Sequence, residues 1–243
     1  PLRLVGSEMC IRDRYGFIYE GTYKYEDFDK VGDTYTLKRN VPYFSSESNT
    51  QPGMPKYADL NGDGIIDDND RTMIGNGMPK HTGGFTNNFE YKGFDLSIFF
   101  QWSYGNDVLN ANRLFFENSN KTRDLNQYAS YADRWTPENP ESNIPRATDS
   151  GSNKVFSTRI IEDGSFLRLK TVSLGYTLPK QLTKKWKIDN ARVFVAGQNL
   201  WTCTGYSGYD PEVSIREGAL TPGLDFSAYP RAYSISFGIN LGF

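Results

Sequence analysis

Twelve consecutive residues hold the strongest chemical signal in this chain, Asp59-Leu60-Asn61-Gly62-Asp63-Gly64-Ile65-Ile66-Asp67-Asp68-Asn69-Asp70. Oxygen-bearing side chains alternate along the segment, and Gly64 sits at the sixth position, where a calcium loop needs its sharp turn. Asp59, Asn61 and Asp63 offer side-chain oxygens. Ile65 offers its carbonyl, Asp67 a direct or water-mediated contact, and Asp70 the last carboxylate. Ca²⁺ takes six to eight hard oxygens, and this spacing supplies them. The expected role is structural, because no paired second loop accompanies the first. The competing reading is a solvated acidic turn.

Other chemistry is sparser. Glu117, Asp124, Asp133, Glu212 and Glu217 lie in connecting segments. A pair of them would serve a glycosidase only at a fixed separation across a cleft, and nothing in the sequence sets one. Tyr206, Tyr209, Phe226 and Tyr229 suit either sugar stacking or packing of their own loop, and the second is the simpler expectation. His81 is the single histidine, which argues against a His-based metal site or a triad. A net charge of -2 gives no footprint for nucleic acid.

Leu4–Arg14, LVGSEMCIRDR, back-translates in frame into a transposase-type sequencing adapter. Residues 1–14 are therefore read as a non-native leader and 15–243 as one domain, a fragment truncated upstream. Setting the leader aside removes Cys10. Cys203 then stands alone, so no disulfide framework is expected.

The elements that must position these residues are strands. In the last stretch, RAYSISFGINLGF, Tyr233, Ile235, Phe237, Ile239, Leu241 and Phe243 share one face. Small and polar residues share the other. Phe94–Tyr104 repeats the pattern, with Phe94, Leu96, Ile98, Phe100, Trp102 and Tyr104 on one side. Gly84–Tyr91, Phe166–Tyr176 and Ala191–Trp201 also read as strands, and Tyr15–Tyr23 reads as a weaker one. Phe166–Tyr176 changes phase midway, which predicts a bulge near Lys170 or Thr171. Lys92-Gly93 predicts a two-residue hairpin. The stretch TLPKQLTKKWKIDN predicts one helical turn after Pro179. DVLNANRLFFEN and LNQYASYADRW look helical.

Aromatic residues make up 15% of the chain, hydrophobic residues 37%, and the mean hydropathy is -0.60. No apolar run is long enough for a membrane-crossing helix. Alternating strands can still cross a bilayer, with apolar residues toward lipid and small polar ones toward the lumen. Short connections alternate with long ones, Lys24–Gly83, Gly105–Ser165 and Thr202–Arg231. Outer-membrane barrels have short periplasmic turns and long outer loops. Counted that way, Trp102, Tyr104, Trp201 and Tyr233 mark the outer interface. Tyr91, Phe94, Tyr176 and Phe243 mark the inner one. The expected fold is all-β, an antiparallel up-and-down meander of about six strands forming part of a transmembrane barrel.

The segments PGMPKYADLNGDGIIDDNDRTMIGNGMPKHTGGFTNNFEYKGFDLSIFFQWSYGNDV, FLRLKTVSLGYTLPKQL, RVFVAGQNLWTCTGYSGYDPEV and YPRAYSISFGINLGF occur in this order. Together they resemble the C-terminal barrel region of SusC/RagA-type TonB-linked outer-membrane transporters. The resemblance implies a Bacteroidota-type outer membrane and a barrel of about 22 strands with a plugged lumen. It further implies energy-coupled uptake of glycans or peptides and a SusD-like lipoprotein lid on the outer face. Contact with the TonB complex would run through a region with no counterpart here. The resemblance also implies substrate passage and binding, with no bond made or broken, and hence no enzymatic activity. Two rival readings fit the same residues, a soluble calcium-stabilised carbohydrate-binding or adhesion β-protein and a secreted glycoside hydrolase fragment.

Overall fold

The computed structural model describes residues 13–117, 126–147, 155–214 and 222–243. Its contacts divide into two compact units, taken in turn. The first comprises the described residues within Met78–Asn106, Asp163–Val213 and Tyr229–Phe243. It is built on five long strands: β1 (His81–Tyr91), β2 (Phe94–Tyr104), β3 (Phe166–Thr177), β4 (Asn190–Thr204) and β5 (Ser234–Gly242). They pair antiparallel in chain order as one sheet.

The register turns five alternating patterns into two continuous faces. Tyr91, Phe94, Tyr176, Val193 and Ile239 fall in one cross-strand row, and Phe89, Leu96, Leu174, Val195 and Phe237 in the next. The row on the opposite face between them, Glu90, Asp95, Gly175, Phe194 and Gly238, is mostly small or charged. Nothing in this unit covers the apolar face. Phe237 is 81% exposed and Ile239 68%. Its aromatic rows stabilise one another laterally through pairs such as Phe85–Phe100, stacked at 5.2 Å, and Phe94–Tyr176, at 4.5 Å.

Irregularities sit where the sequence signals them. Lys92 and Gly93 have φ of 46° and 87°, the paired positive values of a tight hairpin turn. Lys170 has no partner on β2, because Phe99 faces Thr171 while Phe100 faces Leu169. That single extra residue is the bulge behind the phase change. On β4, Asn199 and Leu200 lie between the residues paired with Thr171 and Leu169, and Asn199 takes φ of 52°. After Pro179 the chain makes a helical turn, α2 in chain order, over Lys180–Thr183, and continues as a 3₁₀ turn over Lys184–Trp186.

The second unit comprises the described residues within Pro1–Gly77, Asp107–Glu162 and Ser214–Ala228. It holds short strands around three apolar clusters. One gathers Leu109, Ala111, Leu114 and Ile160, another Phe17, Tyr57 and Ile66, and the third Tyr23, Phe28 and Leu37. The Tyr15–Tyr23 segment belongs here and does not join the meander, which corrects the expectation of a sixth strand. Asp13–Gly16 pairs with Thr72–Asn76, and Tyr19–Thr22 with Pro55–Tyr57. The physical reason is twofold. Gly21 at φ of 106° interrupts a regular strand. Phe17 and Tyr23 are buried among aromatic neighbours in their own unit.

Arg14, within the stretch read as a leader, is buried and donates to the carbonyls of Pro222 and Gly223. Residues 1–12 lie outside the described residues. Of the two expected helices, DVLNANRLFFEN forms a strand, Asp107–Asn110, then α1, Asn112–Phe116. LNQYASYADRW yields only a 3₁₀ turn, Ala129–Asp133, among its described residues. Val108 is fully buried and Leu109 joins the cluster of buried apolar side chains, and strand backbone carries them there. Among the described residues no helix is long and apolar enough to cross a membrane.

Candidate functional site

The acidic loop forms a closed turn whose oxygens face its own amides. Asp59 accepts from the amides of Gly62 at 2.7 Å and Gly64 at 2.8 Å. Asn61 Oδ1 accepts from the Asp63 amide at 2.9 Å, and Asp63 Oδ1 from the Ile65 amide at 2.8 Å. Asp67 accepts from the Asn69 amide at 2.8 Å, starting the 3₁₀ turn Asp68–Asp70. Such self-capping is what Asp and Asn do where the backbone has no regular partner. Gly62 and Gly64 take φ of 77° and 84°, so the backbone reversal is built on residues without Cβ strain.

Asp70 closes the turn and is 0% exposed. Its Oδ1 accepts from the amides of Leu60 at 2.9 Å and Asn61 at 3.3 Å, and its Oδ2 from Asp67 at 2.8 Å. Burial opposes ionisation here. The three amides and a contact with the Asp59 side chain outweigh it and hold the Asp70 carboxyl below its usual range. The structure thus brings Asp59, Asn61, Asp63, Asp67 and Asp70 into one compact loop. Ile65 follows in a two-residue strand that pairs in parallel with Tyr43-Phe44. Among the described residues, no three His, Cys, Asp or Glu side chains converge in a metal-holding group. The donor set is nevertheless hard oxygen throughout, as Ca²⁺ requires.

The polar face of the sheet carries a second constellation. Arg168 on β3 and Asp210 are both buried and pair at 2.5 Å. Glu212 receives Arg168 at 3.4 Å, Lys170 at 3.7 Å and Arg231 at 3.1 Å. Asp210 also accepts from the amides of Glu212 at 2.9 Å and Arg231 at 3.1 Å. Burial raises the Asp210 carboxyl. The Arg168 hydrogen bond, then the two amides, more than reverse this and hold it below its usual range. The cluster pins the segment after β4 and the segment before β5 onto the polar face. At the opposite end of that face, Arg192 grips Asp95 through two contacts, at 2.9 and 2.5 Å. Gly175 lies between them, and a Cβ there would come within 2.5 Å of both side chains.

Glu117 is buried and committed to Arg159 at 2.8 Å and Arg113 at 3.1 Å. With Glu212 also paired, neither is available as a free acid or base. Asp133 is exposed at the end of its 3₁₀ turn, while Asp124 and Glu217 lie outside the described residues. The loop aromatics divide. Phe226 packs on Phe115 of another connection at 4.8 Å, whereas Tyr206 is buried against Gly208 of its own loop, as self-packing requires. Tyr209 and Tyr229, 85% and 90% exposed, do not follow it. Sequence reasoning missed Arg168 and Asp210. The available signal was Arg168 itself, a charge on the polar parity of an otherwise apolar strand.

No family model matches the chain. Curated relatives do. TonB-dependent receptor P3 of Formosa agariphila is 35% identical over 236 residues, covering 94% of this chain and 22% of the relative. TonB-dependent receptor SusC of Bacteroides thetaiotaomicron is 28% identical over 198 residues, covering 81% of this chain and 18% of the relative. Among solved structures, the RagAB peptide transporter aligns with a TM-score of 0.69 and 27% identity, covering 94% of this chain and 22% of that one. The chain spans about a fifth of the length of the receptors it matches.

Proposed function

We infer that this chain, which belongs to the TonB-dependent receptors of the SusC/RagA kind, is a stretch of barrel wall from an outer-membrane importer. The observation that carries the reading is the five-stranded meander, apolar and uncovered on one face, small and charged on the other. A soluble sandwich would bury that apolar face against a second sheet. A barrel wall presents it to lipid and turns the polar face to the lumen. The role is passage and binding of a substrate, with no bond made or broken.

We propose glycans as the substrate class and peptides as the alternative, a SusD-like surface lipoprotein as the outer partner, and the TonB complex as the energy-coupling partner. The two exposed tyrosines, Tyr209 and Tyr229, favour a ligand that stacks on aromatic rings. The test is uptake by cells carrying the intact receptor gene or its deletion. Labelled oligosaccharides and peptides are supplied with and without an uncoupler of the proton gradient. Uncoupler-sensitive entry that disappears on deletion is expected. Entry unaffected by deletion contradicts the importer reading, and loss of peptide entry alone reassigns the substrate.

We propose, second, that the Asp59–Asp70 loop takes Ca²⁺ in a structural role, through the oxygens of Asp59, Asn61, Asp63, Asp67 and Asp70 and the Ile65 carbonyl. Bound calcium supplies charge that offsets the repulsion between clustered carboxylates. The loop's own part is to hold those oxygens on a backbone preset by Gly62 and Gly64. Calorimetry of the intact receptor against Asp63→Ala checks this. Binding by the parent and at least tenfold weaker binding by the variant are expected. No binding, or equal binding, leaves the solvated turn.

A further inference from the structure

We propose that the turn joining β3 and β4 is a docking site for anionic phospholipid headgroups. This inference rests on the barrel-wall reading, which puts the short turns at the periplasmic surface. Lys180, Lys184, Lys185 and Lys187 lie within eight residues of chain, and all four are exposed. None of them makes an ion pair among the described residues. The next short turn along the same edge adds exposed Lys92. Its carboxylate neighbours are few: Glu90 and Asp189 are exposed, and Asp95 is already held by Arg192.

The lysines do not ride on a loose tether. Thr183 is buried, and its carbonyl accepts from the Ile188 amide at 3.2 Å. The Leu182 amide donates to Pro179 at 2.9 Å and the Lys187 amide to Lys184 at 3.2 Å. Asp189 is tied to the end of β5 through Gly242 at 2.8 Å, and Thr177 to the neighbouring turn through Gly93 at 2.8 Å. The knot is therefore fixed to the sheet edge, with its charge directed outward.

Two observations select a membrane over an acidic protein. Leu182 is exposed among the lysines, giving an apolar contact beside the charge. On the face assigned to lipid, the row spanning all five strands that lies nearest the turn is the aromatic and apolar one of Tyr91, Phe94, Tyr176, Val193 and Ile239, and Leu241 lies closer still opposite Ala191. A cluster of lysines immediately flanking an apolar span gains headgroup attraction, screened within a Debye length. Lysine stems can also lie along the apolar rim while their ammonium groups reach phosphate.

The experiment uses the intact receptor in vesicles of phosphatidylcholine alone or mixed with phosphatidylglycerol, compared with Lys180→Gln, Lys184→Gln, Lys185→Gln and Lys187→Gln, singly and together. Lipid that remains with the protein after polymer extraction is quantified by mass spectrometry. Phosphatidylglycerol is expected to be enriched around the parent at low salt. Each substitution should lower its retention about fivefold, and salt should abolish the difference. Equal enrichment in parent and combined variant overturns the site. So does unchanged lipid retention together with loss of a co-purifying acidic protein. Heat-modifiable migration, read on the same samples, reports barrel insertion separately. Its absence in the parent sinks the barrel-wall reading itself, whereas insertion without headgroup preference sinks only this inference.

Discussion

Asp70 and Asp210 show what single carboxylates contribute. Each is held below its usual titration range by hydrogen bonds that outweigh burial. A folded value below the unfolded one, which is about 4 for Asp, stabilises the fold at every pH above 4. That contribution is lost as pH falls through the lower, folded value. Loop amides at Leu60, Asn61 and Asp67 should therefore stay protected down to mild acidity and open below it. Hydrogen exchange on the intact receptor at pH 6 and pH 3 reads this, and equal protection at both would contradict the assignment. Asp70→Ala should accelerate exchange at these amides about tenfold at neutral pH. Removing Arg168 is the harsher change, since it strands Asp210 and takes from Glu212 one of its three cations. Arg168→Ala should cost about 2–4 kcal/mol, at the lower side of buried-pair losses because water reaches the edge of the cluster. A double change, Arg168→Met with Asp210→Leu, should recover most of it. Spacing made the acidic loop legible. Arg168–Asp210 was not, because the partners lie far apart in sequence and meet only through the fold.

At the scale of elements, the bulge explains why some of the register was visible and some was not. Lys170 is one extra residue on β3, and one residue inverts the parity of every side chain beyond it. The phase change in Phe166–Tyr176 announces that directly. Against Lys170, β4 sets two residues, Asn199 and Leu200. Relative to β2 that is two extra, and two residues restore the parity, so the alternation runs on from Val195 to Trp201 with no trace. Only the left-handed Asn199 marks the spot. Asn199→Gly should be neutral or stabilising. Asn199→Val should cost about 1–2 kcal/mol, because a branched Cβ crowds the backbone in that region. Unfolding of the intact receptor in urea checks both, and a neutral Asn199→Val would argue for a different local backbone. The Tyr15–Tyr23 segment was over-read for the opposite reason. Its aromatic content suits a strand, yet Gly21 and the burial of Phe17 and Tyr23 commit it to the other unit.

For the whole molecule, the direction in which the apolar face of the sheet points decides between a barrel wall and a soluble core. The alternation of Tyr233, Ile235, Phe237, Ile239 and Leu241 was plain in sequence, and register joins it to four other strands. Sequence could not say which residues of the long connections gather into apolar clusters, since two of the clusters join positions more than forty residues apart. A charge at mid-membrane on the lipid face should be costly, and Phe237→Arg should destabilise the intact barrel by about 2–4 kcal/mol. The most direct test labels the strand itself. In a Cys203→Ser background of the intact receptor, any other native cysteine also replaced, single cysteines from Ser234 to Leu241 carry a nitroxide in vesicles. Relaxation by oxygen, which concentrates in lipid, is compared with relaxation by a water-soluble nickel complex. A barrel-wall strand gives a period of two, with positions 235, 237, 239 and 241 exposed to oxygen and shielded from nickel, and positions 234, 236, 238 and 240 showing the reverse. Equal access to the nickel complex along the strand, or shielding of 235, 237, 239 and 241 from both probes as inside a soluble core, would contradict it.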